Sequence, residues 1–126
     1  MVKLDFSNVL TKFCQISGCP YERTAEVIPV IENGISMIED IIDEDKFSEE
    51  DYPACEYAAA TAAVYRFVCR ECTREKIICT RNGNAYSADE DFDRKIMPAF
   101  ELEKYALEGI KHIIKDNGFL FRAYGK

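Results

Sequence analysis

The sequence holds one histidine, His112, in 126 residues, and that scarcity removes most hydrolytic chemistry. General acid–base catalysis and nucleophilic triads need a base held by an orienting partner. His112 stands between Lys111 and Ile113 near an expected helix end, where a cation complements the helix dipole. The chain also lacks a phosphate-cradling glycine loop, a serine nucleophile elbow and a zinc-protease helix motif. It has no apolar run approaching the ~18 residues that a membrane helix needs. The opening Met1-Val2-Lys3-Leu4-Asp5 puts an acid where a signal peptide needs an apolar stretch. Repeats, low-complexity tracts and linkers are missing too. The expectation is one domain spanning residues 1–126, in the cytoplasm, with no cofactor and no membrane partner.

Charge is present but unevenly placed. The net charge is −7 and the calculated pI about 4.8, which disfavours phosphate-rich partners. From Glu39 to Asp51 the acids Glu39, Asp40, Asp43, Glu44, Asp45, Glu49, Glu50 and Asp51 face only Lys46. From Arg66 to Arg81 the balance reverses, with Arg66, Arg70, Arg74, Lys76 and Arg81 against Glu71 and Glu75. Arg66, Arg70 and Arg74, four apart, form a basic stripe on one helix face. Such a ladder suits phosphates, but the nearby Glu71 and Glu75 offer ordinary surface pairs, and no sequence-specific nucleic-acid partner is expected. The acids lack the glycine-turned spacing of a calcium loop.

Six cysteines, Cys14, Cys19, Cys55, Cys69, Cys72 and Cys79, read as thiols in a chain expected to stay in the cytosol. Cys69-x-x-Cys72 has zinc half-site spacing, and Cys14 with Cys19 would complete a four-thiolate cage. Against this, the CxxC falls inside a predicted helix, and free cysteine behaves as a small buried hydrophobe. Core packing is the expectation and no metal is assigned.

Hydrophobic periodicity predicts a mainly α domain of four helices. Phe6, Val9, Leu10, Phe13 and Ile16 mark the first, capped at Asp5 or Ser7 and stopped by Gly18-Cys19-Pro20. Ala25, Ile28, Ile31, Ile35, Ile38 and Ile41 or Ile42 mark the second, with Thr24 a candidate cap, Pro29 either starting it or kinking it, and Gly34 an unfavourable interior residue. Ser48 and Asp51 form a capping box for the third, expected from Glu49 to about Glu75. Its centre, Ala58 to Ala63, invites close approach by a neighbour. Ile77-Ile78-Cys79-Thr80, the Asn82-Gly83 turn signal and Ala85-Tyr86-Ser87 predict a small β-hairpin at about 76–87, inserted between the third and last helices. Ser87 and Glu90 cap the last helix, which starts near Ala88 or, given Pro98, as late as Met97, and runs to Lys115. Asp116-Asn117-Gly118 stops it. The tail, 119–126, is apolar for a chain end and is expected to dock.

The order of these features resembles the small helical head–tail connector, or head-completion, proteins of tailed phages and prophages. The likeness runs through Ile35-Ser36-Met37-Ile38-Glu39-Asp40-Ile41-Ile42, Tyr57–Arg66, the Ile77–Tyr86 stretch and Lys115–Phe121. It implies a non-enzymatic subunit that forms rings under a portal, through which DNA passes, and that is found in the bacterial cytoplasm during assembly and then in the virion. The cysteine content departs from that group. Independently, an acidic segment and a basic helix on one subunit favour heterologous contacts that close into rings or filaments. The expected partners are a second copy and a portal or neighbouring head or tail protein. The expected contact residues are Arg66, Arg70, Arg74, Asn82, Gly83, Phe119 and Phe121. The competing readings are a small cytosolic helical interaction or regulatory protein and, behind it, a thiolate metal module.

Overall fold

A computed structural model describes residues 2–20, 24–83 and 88–115. Helix α1 (Phe6–Ser17) begins where Asp5 accepts a hydrogen bond from the Ser7 amide at 3.3 Å, and ends at Gly18 with φ 74°. Helix α2 (Thr24–Ile41) contains Pro29 within it, on the exposed side. A 3₁₀ turn, Glu49–Asp51, leads into α3 (Tyr52–Arg81), the longest element. The Ser48 amide donates to Asp51 Oδ2 at 3.0 Å, as the capping box requires. Helix α4 (Ala88–Asp91), a π-helical turn at Phe92–Ile96 and α5 (Met97–Gly109) follow one another without a break.

Specific side-chain pairs fix how the helices lie. Asn8 donates to Glu56 at 3.1 Å and Phe13 meets Phe67 edge-to-face at 5.6 Å, so α1 runs parallel to α3. Arg70 reaches the Glu26 carbonyl while Gly34 lies against Ala59 and Ala63, so α2 runs antiparallel to it. Lys95 pairs with Glu75, Phe100 meets Tyr65 and His112 bonds Asp51, so α5 also descends. Helices α1, α2 and α5 thus surround α3 in up-down-up-down order. One pole carries the starts of α1 and α3 and the ends of α2 and α5.

Small side chains set the tightest contact. A Cβ on Gly34 would stand 2.5 Å from the Ala59 carbonyl oxygen, closer than real Cβ atoms come. The glycine that weakens α2 on propensity therefore lets its backbone rest on the alanine run of α3. Ala58, Ala59, Ala60, Thr61, Ala62 and Ala63 are all buried, with the Thr61 hydroxyl satisfied by the Ala58 carbonyl at 2.8 Å. Around them Phe13, Ile31, Ile38, Ile42, Leu107, Ile110, Ile113 and Ile114 are fully buried.

Two expectations require correction. Ile77-Ile78-Cys79-Thr80 is not a strand but the final turns of α3, and no strand occurs among the described residues. Extending an existing helix adds a hydrogen bond per residue fixed with nucleation already met, whereas an isolated two-stranded hairpin is marginal. Asn82-Gly83 serves as the helix stop. The Asn82 amide donates to the Ile78 carbonyl at 3.0 Å, and Gly83, at φ 75°, donates to Thr80 at 3.2 Å. The last helix is also shorter than its periodicity suggested. After Gly109 comes a 3₁₀ turn, Lys111–Ile113, and then Ile114, extended and bridged antiparallel to Ile42. Two hydrogen bonds clamp that bridge, Asp43 amide to Ile113 carbonyl at 2.7 Å and Lys115 amide to Ile41 carbonyl at 2.8 Å. The Ser87 cap and the tail, with Phe119 and Phe121, lie outside the described residues.

Candidate assembly surface

The basic stripe of α3 is continuous with the face that packs on α2. Residues 59, 63, 66, 70, 74, 77 and 81 differ by three or four and so share one side of the helix. At Ala59 and Ala63 that side is sealed by Gly34. At Arg66 it is half-buried, the guanidinium donating to the Ala62 carbonyl and touching Met37 Sδ, both at 3.2 Å. At Arg70 it meets the first turns of α2 through the Glu26 carbonyl at 3.4 Å, with the guanidinium 5.5 Å from the centre of the Phe67 ring. Past Arg70 no described residue of α2 covers it. Arg74 pairs weakly with Glu71 at 3.9 Å. Ile77 and Ile78 are 53% and 47% exposed, unusual for isoleucine.

The three arginines therefore do different work. Arg66 is spent on the α2 contact, Arg70 stands at its edge, and Arg74 belongs to an open face. Together with Cys69, Thr73, Ile77, Ile78 and Arg81, Arg70 and Arg74 line a shallow groove of about 640 Å³. Sequence reasoning named Arg70 and Arg74 as contact residues and counted Arg81 in the basic stretch, but it did not place Ile77, Ile78 and Arg81 on their face, because reading 77–80 as a strand hid the helical spacing. Asn82 and Gly83 end this face without forming a projecting hairpin.

The acidic run lies at the opposite pole, with Arg70 about 29 Å and Arg81 about 45 Å from Asp51 along α3. Part of it works internally. Glu39 accepts the Leu4 amide at 2.9 Å and Glu44 the Val2 amide at 3.2 Å, holding the first residues against the end of α2. Asp43 caps its own loop by accepting from the Asp45 amide at 3.1 Å. Asp40, Asp45, Glu49 and Glu50 are exposed.

The thiols are dispersed. Cys14 and Cys19 are neighbours, Cys69 lies by Tyr65, and Cys72 by Asp91 and Lys95, so the four do not form a cage. Among the described residues no group of three or more His, Cys, Asp or Glu side chains is placed to hold a metal ion. Burial raises the thiol pKa of Cys14 and Cys72, and pushes Cys55 up to about 12 with the charges of Asp51 and Glu56 adding to the effect. Cys55, Asp51 and His112 are the residue types of a thiol-nucleophile site, and the fold gathers them at one pole. The arrangement works against that chemistry. Cys55 is fully buried and held protonated, while His112 points Nε2 at Asp51 Oδ1, 3.1 Å away, from an exposed position. Asp51 is held below the ordinary aspartate range, first by the Ser48 amide and then by His112. The pair fastens the chain's last described turn to the start of α3.

A second concavity, of about 360 Å³, opens over α3 between the end of α1 and the start of α5. Its floor is Val64, Phe67 and Val68, its walls include Ile16 and Leu102, and Glu71, Glu75 and Lys95 stand around it. No described helix is long and apolar enough to cross a membrane. Comparison of the chain with profiles of known families, with curated proteins and with solved structures found no match.

Proposed function

We propose that the protein is a non-enzymatic, self-associating assembly subunit, of the kind that builds the head–tail connectors of tailed phages, and that docks on a portal or neighbouring particle protein. The observation that carries this reading is the open end of the α2-facing side of α3, where Ile77 and Ile78 stand exposed among Arg70, Arg74 and Arg81. Its charge complement, the exposed acids Asp40, Asp45, Glu49 and Glu50, is at the far pole of the same molecule and out of reach within one copy. Two surfaces that match but cannot meet in one subunit produce head-to-tail contacts, which close into rings or run on as filaments. Exposed apolar residues rimmed by charge are the usual mark of a protein contact.

The test is sedimentation velocity across a concentration series at low and high salt. Association should weaken with salt, because the contact pairs opposite charges. Arg74→Glu and Ile77→Ser should each weaken it, and Glu49→Lys combined with Arg74→Glu should restore part of the loss. A strict monomer at every concentration overturns the self-association reading. Association indifferent to both α3 substitutions would place the contact elsewhere. A portal protein that binds the wild type and not Arg74→Glu would support the connector assignment.

A further inference from the structure

A third cavity, of about 300 Å³, lies where α3 passes the junction of the π-helical turn with α5. Its lining is aromatic and polarisable: Tyr65 from α3, Phe92 and Ile96 from the π turn, Met97 and Phe100 from α5. The rings of Tyr65 and Phe100 have centres 5.8 Å apart and planes inclined at 54°, so they form two walls of a corner rather than a stack. Phe92 is 50% exposed and stands at the mouth.

The π turn brings that third ring to the corner. Pro98 has no amide to return to the Arg94 carbonyl, so the regular helical ladder is broken there. The Met97 amide donates instead to the Phe92 carbonyl, five residues back. In an α-helix, residues five apart point about 140° away from each other. Closing that interval into a single turn sets Phe92 beneath Met97 and on the cavity side with Phe100. Turns of this kind are rare and recur at functional sites.

The cavity selects by what it lacks. Among its described lining residues the Tyr65 hydroxyl is the one polar side-chain group, and it is hydrogen-bonded with the Cys69 thiol. A guanidinium or primary ammonium placed there would leave N–H donors unsatisfied. The local field still favours positive charge. Burial raises the Tyr65 pKa, as do Cys69 and the negative charge of Glu103, while Arg66 is the smallest influence and the opposing one. The Arg66 guanidinium is turned to the Ala62 carbonyl and Met37. A cation with no hydrogen to donate meets both conditions, and the faces of aromatic rings attract it directly.

We infer that Tyr65, Phe92 and Phe100, with Met97, form a cage for a quaternary ammonium group carried on a free small molecule of the choline class. The cage shares no residue with the arginine groove, so it stands apart from the self-association reading.

The experiment titrates the full chain with choline chloride and follows the ligand methyl signal and the protein's aromatic resonances by NMR. The control ligand is 3,3-dimethyl-1-butanol, the neutral isostere of choline. The expected result is a saturable upfield shift of the methyl signal, with nuclear Overhauser contacts to the rings of Phe92 and Phe100. Choline should bind at least about fivefold more tightly than the neutral alcohol, and Phe92→Leu should lose about fivefold in affinity. Because Phe92 is half exposed, that variant should keep its thermal stability. Equal binding of the neutral alcohol overturns the inference, since the cavity would then be apolar without preference for charge. An affinity unchanged in Phe92→Leu, contacts to rings outside the cavity, or no saturable shift overturns it as well. Phosphatidylcholine vesicles that sediment with the protein while choline fails to bind would overturn the free-ligand assignment in favour of a lipid headgroup.

Discussion

The two ends of α3 are built on opposite rules. In the lower half, from Cys55 to Val64, nearly every side chain is buried whichever way it points, and the residues are small so that three helices can close in. In the upper end, from Arg70 to Arg81, large isoleucines and arginines stand out with little of the described chain against them. A single helix therefore serves as the axis of the core and then as an exposed rod. Tight packing on all sides specifies a fold, while uncovered apolar surface specifies a contact. The division falls where α2 begins and the face of α3 it had covered is laid open.

Chemical labelling of the cysteines should sharpen the contrast most. In the native protein at pH 8, Cys79 should react with a thiol reagent at least a hundredfold faster than Cys55, whose pKa is pushed up to about 12 within the core. Denaturation should erase the difference, and equal native rates would mean the lower half opens readily. Next in size, Gly34→Val forces a side chain against the Ala59 carbonyl. It should cost about 3 kcal/mol in urea unfolding, whereas a neutral result would mean that α2 can lift from α3 without penalty. Asp51→Ala removes the capping carboxylate and the anchor of His112, and should cost about 1 kcal/mol. Because the folded pKa of Asp51 is lowered, its contribution is complete above the ordinary value of 3.8 and is lost as pH falls through the lower folded value. Wild-type and Asp51→Ala stabilities should therefore converge in strong acid, and a constant gap there would reassign the effect. Smallest for the fold is Ile77→Ser, which should change stability by no more than about 0.5 kcal/mol while weakening association.

How much of this was legible in the sequence depends on whether the signal was local. Asp5, Gly18 and the Ser48–Asp51 box are short-range hydrogen-bonding arrangements, and each stands where the sequence placed it. The alanine run announced a close helix neighbour, but the partner was Gly34, which propensity alone marks as a defect. Asn82-Gly83 has two local meanings, hairpin turn and helix stop, separated only by whether the preceding residues continue an existing helix. The bridge between Ile42 and Ile114 joins residues seventy-two positions apart, and no local pattern foretells it. Of the candidate surface, Arg70 and Arg74 were visible as charge spacing. The exposure of Ile77 and Ile78 was not, because it depends on where α2 begins.

That bridge has a practical side. With Val2 and Leu4 tied to Glu44 and Glu39, and Ile114 paired with Ile42, residues 2 and 115 leave the bundle from the same pole. An affinity tag or fluorescent fusion placed ahead of Val2 is thus attached beside the acidic surface and far from the arginine–isoleucine rod. In the head-to-tail assembly proposed above, such a fusion would obstruct one half of the joint and leave the other exposed, stopping growth at a single capped unit. Under that proposal, a fusion protein mixed in small proportion with the untagged chain would act as a chain terminator, its ratio to the free protein setting the length of what is built.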